Sequence, residues 1–211
     1  HGKWGFNKVF LGGQAFRGVP SYGSLVMENV LFKIQGPVVI HAQSAIECAL
    51  RLHPKIRSRV DEIERIRLLS HQRTLQIIDK RGPLRNAADR DHCLQYAIAV
   101  ALLEGKLTAE DYEDEKACDP RIDQLRALMT LEEDADYTRA YLDPAQRKNP
   151  NSIQIFFRDG SCTDLVKVEE PLGQLSRRSE GIPLLVEKFR RNLARRFPAR
   201  QQQVILAHCL D

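Results

Sequence analysis

The stretch from Ile153 to Glu169 constrains the fold more than any other part of the chain. Two runs of strand length, Ile153 to Arg158 and Thr163 to Glu169, meet at Asp159-Gly160. An Asp-Gly pair between such runs is a hairpin signal, because the glycine accepts the positive φ that a tight turn demands. Two further strands are read upstream. In Asn29 to Gln35, Val30, Phe32 and Ile34 point one way while Asn29, Lys33 and Gln35 point the other, the alternation of a half-buried strand. Glu62 to Leu69 reads as a second strand. Leu75 to Ile78 is too short for periodicity to choose between strand and helix.

Helices fill the intervals. His41 to Leu52 places Ile46, Ala49 and Leu50 on one face, with Pro54 expected to stop it. A helix from about His92 to Glu104 is expected to be capped by Asp89 or Asp91 and closed by Gly105. Thr108 and Asp111 approximate a capping box, and Asp119-Pro120 opens another helix with Ile122, Leu125 and Met129 facing inward. Glu132 to Asn151 reads as a loop. Pro183 and Pro198 sit at the expected first positions of the last two helices. This order predicts an α+β fold, a small, largely antiparallel sheet packed with helices, and then C-terminal helices. Pro171 to Pro183 is the best candidate boundary.

Charge narrows the function classes. The net +4 is concentrated near the C-terminus, in Lys188, Arg190, Arg191, Arg195, Arg196 and Arg200. Leu185, Phe189, Leu193 and Phe197 recur among them at every fourth residue, which describes an amphipathic helix with a charged outer face. No aromatic-rich strand accompanies the cluster to stack bases, so no nucleic-acid partner is expected. No apolar run approaches the roughly 20 residues that span a bilayer, so no membrane partner is expected either. The five cysteines, Cys48, Cys93, Cys118, Cys162 and Cys209, have no zinc, redox or iron–sulfur spacing. They read as free thiols of a reducing compartment.

The run RGPLRNAADRDHCLQY, Arg81 to Tyr96, carries the densest set of ionisable groups. A polar loop opening a helix favours anions, through helix-start N–H groups and the macrodipole. The plainer alternative is a solvated loop with an aspartate cap. The run, continued by LLEGKLTAEDYED, resembles the signature of the MmgE/PrpD family. So do Trp4-Gly5-Phe6, SLVMENVLFKI from Ser24, HAQSAIE from His41, DPRIDQLR from Asp119, the hairpin around Asp159-Gly160, GIPLLVEKF and FPARQQQVIL. The resemblance covers nearly the whole chain but only the C-terminal part of longer family members. It implies a fragment, with residues 1–175 as the family's smaller lid domain and residues 176–211 as helices that rejoin an absent N-terminal helical domain.

The activity implied by the resemblance is dehydration of 2-methylcitrate to 2-methyl-cis-aconitate in propionate breakdown. The implied partners are a tricarboxylate substrate and a second copy in a homodimer. The implied location is the cytoplasm, or the mitochondrial matrix of a eukaryote. The reaction needs a base beside a carboxylate, an acid for the departing hydroxyl and cations for three carboxylates. The family works without a metal or other cofactor, and its principal acid–base residues lie largely in the absent domain, so this fragment alone is expected to be inactive.

Five candidate site residues follow, with Lys33, His41 and Tyr96 at positions the match implies and Arg90 and His92 read from their chemistry beside them. Lys33, otherwise a solvent-facing lysine, becomes a carboxylate binder. His41, opening a helix, becomes a second substrate-binding residue, and Arg90 a third. Tyr96, by default a structural tyrosine, becomes a catalytic phenol facing the cleft. His92, expected on the same helix face as Tyr96, becomes its catalytic or orienting partner. Two alternatives stay open: a related cis-aconitate decarboxylase or dicarboxylate epimerase, and a non-catalytic lid serving as a binding module.

Overall fold

A computed structural model describes residues 5–14 and 30–210. Trp4, the segment from Ser24 to Asn29 and Asp211 lie outside the described residues. The chain divides into two compact units, residues 1–30 and 31–211. In the first, a short helix α1 (Phe6–Phe10) stacks the rings of Phe6 and Phe10 at 5.2 Å.

The second unit contains a four-stranded sheet. Its strands are β1 (Ile63–Ser70), β2 (Met129–Glu133), β3 (Asn151–Phe157) and β4 (Val166–Val168), in the spatial order β2-β1-β3-β4. β1 runs parallel to β2, with Leu68 opposite Leu131, and antiparallel to β3, with Leu68 opposite Ile153. β4 pairs antiparallel to β3. The fold is therefore α+β, with a small open sheet in which two of the three pairings are antiparallel. Gly160 takes φ +82° in the expected hairpin turn.

Helices cover one face of this sheet. α2 (Gln43–Ile56) follows a short 3-10 turn at Ile40–Ala42, and Ala45, Ile46, Ala49, Leu52 and Ile56 are buried at helical spacing. Pro54 does not stop α2; the helix runs two residues further and buries Ile56 completely. Burying that side chain is worth roughly 1.5–3 kcal/mol, enough to offset one lost backbone bond near a helix end. α3 (Gln72–Ile78) resolves the ambiguous Leu75–Ile78 run as helix. α4 (Ala87–Asp91) is a single turn. α5 (Leu94–Glu104) is buried at every residue from Leu94 to Leu102 and packs between neighbours, as a helix apolar on all sides must. α6 (Asp114–Ala117) and α7 (Pro120–Ala127) follow, α7 starting at the expected Asp119-Pro120 cap. α8 (Ala135–Leu142), α9 (Arg178–Ala194) and α10 (Ala199–Leu210) complete the described helices.

Three further expectations are corrected. The described residues of the predicted strand, 30–35, form no strand. Phe32 N instead donates a single bond to Gly173 O at 3.1 Å, and the guanidinium of Arg178 lies 4.0 Å over the Phe32 ring. Glu132 to Asn151 is not a loop, because the end of β2, all of α8 and the start of β3 fall within it. Met129 is the only fully buried residue of β2, so this edge strand leaves almost no alternation to read. Pro183 lies inside α9 rather than at its start.

Gly105 closes α5 at φ +66°, and a Cβ there would meet the His53 ring at 2.6 Å. That ring is fixed by a 2.8 Å bond between His53 Nδ1 and Leu102 O. Gly160 has a similar φ but open space around it. Gly160→Ala should therefore cost only the left-handed backbone penalty of roughly 1–2 kcal/mol. Gly105→Ala should cost about 2 kcal/mol or more because it adds a clash. Urea denaturation of both variants measures the difference, and equal losses would show that the His53 ring gives way freely.

Candidate functional site

The sequence-predicted residues separate into two groups on different elements. Among the described residues, no hydrogen bond, ion pair or ring contact joins any two of Lys33, His41, Arg90, His92 and Tyr96.

Arg90, Tyr96 and their neighbours form a structural knot. Arg90 is 5% exposed. Its Nη1 donates to Tyr112 O at 2.5 Å and its Nη2 to Asp114 Oδ1 at 2.6 Å. Tyr96 is 2% exposed, and its hydroxyl donates to Asp111 O at 2.6 Å. Burial pushes the Tyr96 phenol up to about 12. Asp111 accepts from Thr108 N at 2.7 Å and from Thr108 Oγ1 at 2.8 Å, completing the expected capping box. The groups that looked free in the Arg81–Tyr96 run are thus engaged in fixing the turn after α5.

His92 is not on the helix with Tyr96. α5 begins at Leu94 with Cys93 as N-cap, and His92 is the exposed residue closing α4. Its Nδ1 lies 3.2 Å from Asp91 Oδ2. The cap of α4 is Asn86, whose side chain accepts from Asp89 N. Asp89 instead pairs with Lys80 at 3.0 Å. Arg81 pairs with Asp79, and Arg126 with Asp123. A shallow pocket of about 370 Å³ lies among Lys80, Arg81, Gly82, Pro83, Gln95 and Arg126, but its cations are already matched by carboxylates.

His41 belongs to a second, buried cluster. It sits in the 3-10 turn before α2, 8% exposed. Its ring meets His71 edge-on at 5.4 Å and tilts against Tyr141 at 5.7 Å. His71, directly after β1, is fully buried and stacks flat on Tyr141, with centroids 3.9 Å apart. His71 Nε2 lies 2.8 Å from Asn149 Oδ1 and 3.1 Å from Thr74 Oγ1. Asn149 Nδ2 donates to Ile40 O at 2.6 Å, and Asn151 Nδ2 to His41 O at 3.1 Å. Nδ1 of both histidines is buried with no hydrogen-bond partner. Burial, with a smaller push from Arg73, holds the His41 imidazole below its ordinary range. Burial also pulls His71 down to about 4; its bond to Asn149 acts the other way, and His41 adds a lesser push downward.

Lys33 is exposed, in the segment without regular secondary structure that leads to this turn. Its carbonyl accepts a hydrogen bond from Lys188 Nζ of α9. Lys188 is thus turned inward rather than left on an outer face, and burial lowers its pKa, with Arg191 and Lys33 adding repulsion. A groove of about 780 Å³ opens beside it, with Ile34, Pro37 and Leu107 as apolar lining and Lys188, Arg191 and Arg196 as cations. Arg195, also on the groove, is paired with Glu110. Among the described residues, no group of three or more His, Cys, Asp or Glu side chains is placed to hold a metal ion.

Sequence reasoning missed His71, Tyr141 and Asn149, and it placed Lys188 on a charged outer face. His71 carried one usable signal, a histidine at the end of an apolar strand. Asn149 and Tyr141 lay in what read as a loop.

The family description MmgE/PrpD C-terminal domain matches residues 37–211. The chain is 55% identical to the 2-methylcitrate dehydratase of Cupriavidus necator, covering 99% of this chain and 44% of that protein. It is 51% identical to the 2-methylcitrate dehydratase of Salmonella typhimurium, again over 99% of this chain and 44% of the relative. With the mitochondrial 2-methylcitrate dehydratase of Yarrowia lipolytica the figures are 47% identity, 97% and 40%. The chain spans less than half the length of these relatives.

The low pKa of His71 has a consequence for stability. An unfolded chain protonates this imidazole near 6.5, whereas the folded protein does so only near 4. Between those values the unfolded state binds more protons, so the stability present above 6.5 is lost as pH falls toward 4. His71→Gln should flatten this part of the profile. Urea midpoints of both proteins from about pH 7 to about pH 4.5 test it; parallel profiles would assign the slope to other groups.

Proposed function

The chain belongs to the MmgE/PrpD family, and from that premise we propose that it forms part of a cofactor-independent hydro-lyase that converts 2-methylcitrate to 2-methyl-cis-aconitate. The observation that carries this reading is the identity of 47–55% to 2-methylcitrate dehydratases over nearly all of the chain. The same reading assigns it to propionate catabolism, in the cytoplasm or, in a eukaryote, the mitochondrial matrix.

The chemistry asked of this part is binding and orientation. A tricarboxylate needs cations that are not already paired, and the Lys33 ammonium meets that condition among the described residues. His41, held close to neutral by its burial, offers an imidazole able to hydrogen-bond a carboxylate or hydroxyl without a fixed charge. In this reading Tyr96 and Arg90 have structural roles, fixing the turn after α5, and His92 stays an exposed residue beside Asp91. The remaining acid–base groups come from a helical domain of the whole protein. α9 and α10 rejoin that domain, which covers the apolar side chains they leave exposed, among them Ile182, Leu184, Val204 and Leu210. The whole protein acts as a homodimer.

In the full-length parent, Lys33→Ala and His41→Ala should each lower kcat/KM for 2-methylcitrate at least about tenfold, or roughly 1.4 kcal/mol of transition-state stabilisation. Activity should survive EDTA. Tyr96→Phe should instead cost roughly 1 kcal/mol of stability and leave kcat near that of the parent. Absorbance of the unsaturated product follows turnover. A parent that processes cis-aconitate or an amino-dicarboxylate and ignores 2-methylcitrate would replace this reading with a sister activity.

A further inference from the structure

His71 is a buried histidine that the functional reading does not use, and its surroundings specify its state. The Asn149 amide is oriented by its Nδ2, which donates to Ile40 O at 2.6 Å. Oδ1 therefore faces the His71 ring, and at 2.8 Å only a protonated Nε2 satisfies it. The opposite nitrogen, Nδ1, is buried without a partner. A neutral ring leaves a lone pair there, whereas a cationic ring would bury an N–H with nothing to accept it. One tautomer of the neutral ring fits.

The same asparagine reaches His41 through the backbone. Asn149 holds the carbonyl of Ile40 and Asn151 holds that of His41, so the turn bearing His41 is fastened to the start of β3. Its side chain is limited by two rings: His71 edge-on at 5.4 Å and Tyr141 at 5.7 Å. Tyr141, stacked on His71 at 3.9 Å, cannot move independently of it. The charged group acting on His41 is Arg73.

We propose that His71 is a positioning residue: locked as its Nε2–H tautomer by Asn149, it holds the His41 ring in one orientation toward the ligand. The proposal rests on reading His41 as substrate-facing, and it adds a residue that acts only through another.

Long-range proton–nitrogen spectra of the ¹⁵N-labelled chain read ring tautomers directly. His71 should show a protonated Nε2 and a bare Nδ1 from about pH 8 to about pH 5, and His41 a single set of ring signals. A protonated Nδ1 on His71 in that range overturns the proposal. His71→Gln keeps an N–H toward Asn149 and should preserve the His41 signals. His71→Phe keeps the stack on Tyr141 but loses the donor. It should broaden or split the His41 signals and move their titration by at least about half a pH unit. Unchanged His41 signals in His71→Phe overturn the proposal; should that variant not fold, the wild-type tautomer decides.

In the full-length parent, His71→Phe should lower kcat about tenfold with KM within about twofold, and His71→Gln should recover most of the loss. A parent without 2-methylcitrate turnover would end the functional reading and leave the ring spectra to judge His71. An active parent indifferent to His71→Phe would end the positioning role alone.

Discussion

Asn149 and Asn151, flanking the start of β3, hold the sheet to the helical layer, and the rest of the site depends on them. Asn149 binds the carbonyl of Ile40 and the ring of His71, and its own carbonyl accepts from Ser44 Oγ at 2.5 Å. Asn151 binds the carbonyl of His41 and Ser44 Oγ, and its carbonyl accepts from Cys48 Sγ. Each such bond contributes only about 0.5–1.5 kcal/mol net, but leaving one of these buried groups unpaired costs roughly 1–3 kcal/mol. The network is therefore close to all-or-none. A shift of β3 by one residue would strand several partners together, which fixes its register against α2 as firmly as its apolar side chains do.

A second buried polar group ties the C-terminal helices to the same layer. Glu47 of α2 is 2% exposed, and its carboxylate takes Arg51 at 2.6 Å, Arg177 at 3.0 Å and Leu172 N at 3.2 Å. Removing one partner of such a set leaves a charge in low dielectric, so the group works as a positional constraint more than as a source of stability. It sets where the chain turns into α9. Gly181 does the complementary work: the helix approaches Leu172 O and the Ile34 side chain so closely that no Cβ fits. Together they seat α9 beside the segment carrying Lys33.

How much of this the sequence disclosed follows from the range of each signal. The Asp159-Gly160 turn, the Gly105 cap, the Thr108–Asp111 box and the Asp119-Pro120 start are encoded within a few residues, and each stands where the sequence predicts it. Pro54 and Pro183 mislead because their local preference is outweighed by distant burial: Ile56 in one case, the Gly181 seat in the other. Arg90 misleads more instructively. In sequence it is a free guanidinium in a loop, yet its acceptors lie beyond a whole helix, at Tyr112 and Asp114. The same holds for His71, whose partner Asn149 is separated from it by one strand and several helices. Spacing rules see neighbours along the chain, and the polar groups that shape this site are neighbours only in the fold.

The distribution of positive charge shows why a net count is a poor guide to partners. Of the basic residues from Arg177 onward, Arg177 is spent on Glu47 and Glu180, Arg178 lies over Phe32, and Arg195 is paired with Glu110. Lys188 turns its ammonium into the backbone at Lys33 even though Lys33 and Arg191 repel it. Each of these contacts orients a side chain within the protein rather than offering it to a polyanion. The Lys33 ammonium differs: its carbonyl is engaged, and among the described residues no carboxylate pairs with its side chain. In the reading proposed above, such an unmatched cation is the one a substrate carboxylate would meet, because no internal ion pair has to break first.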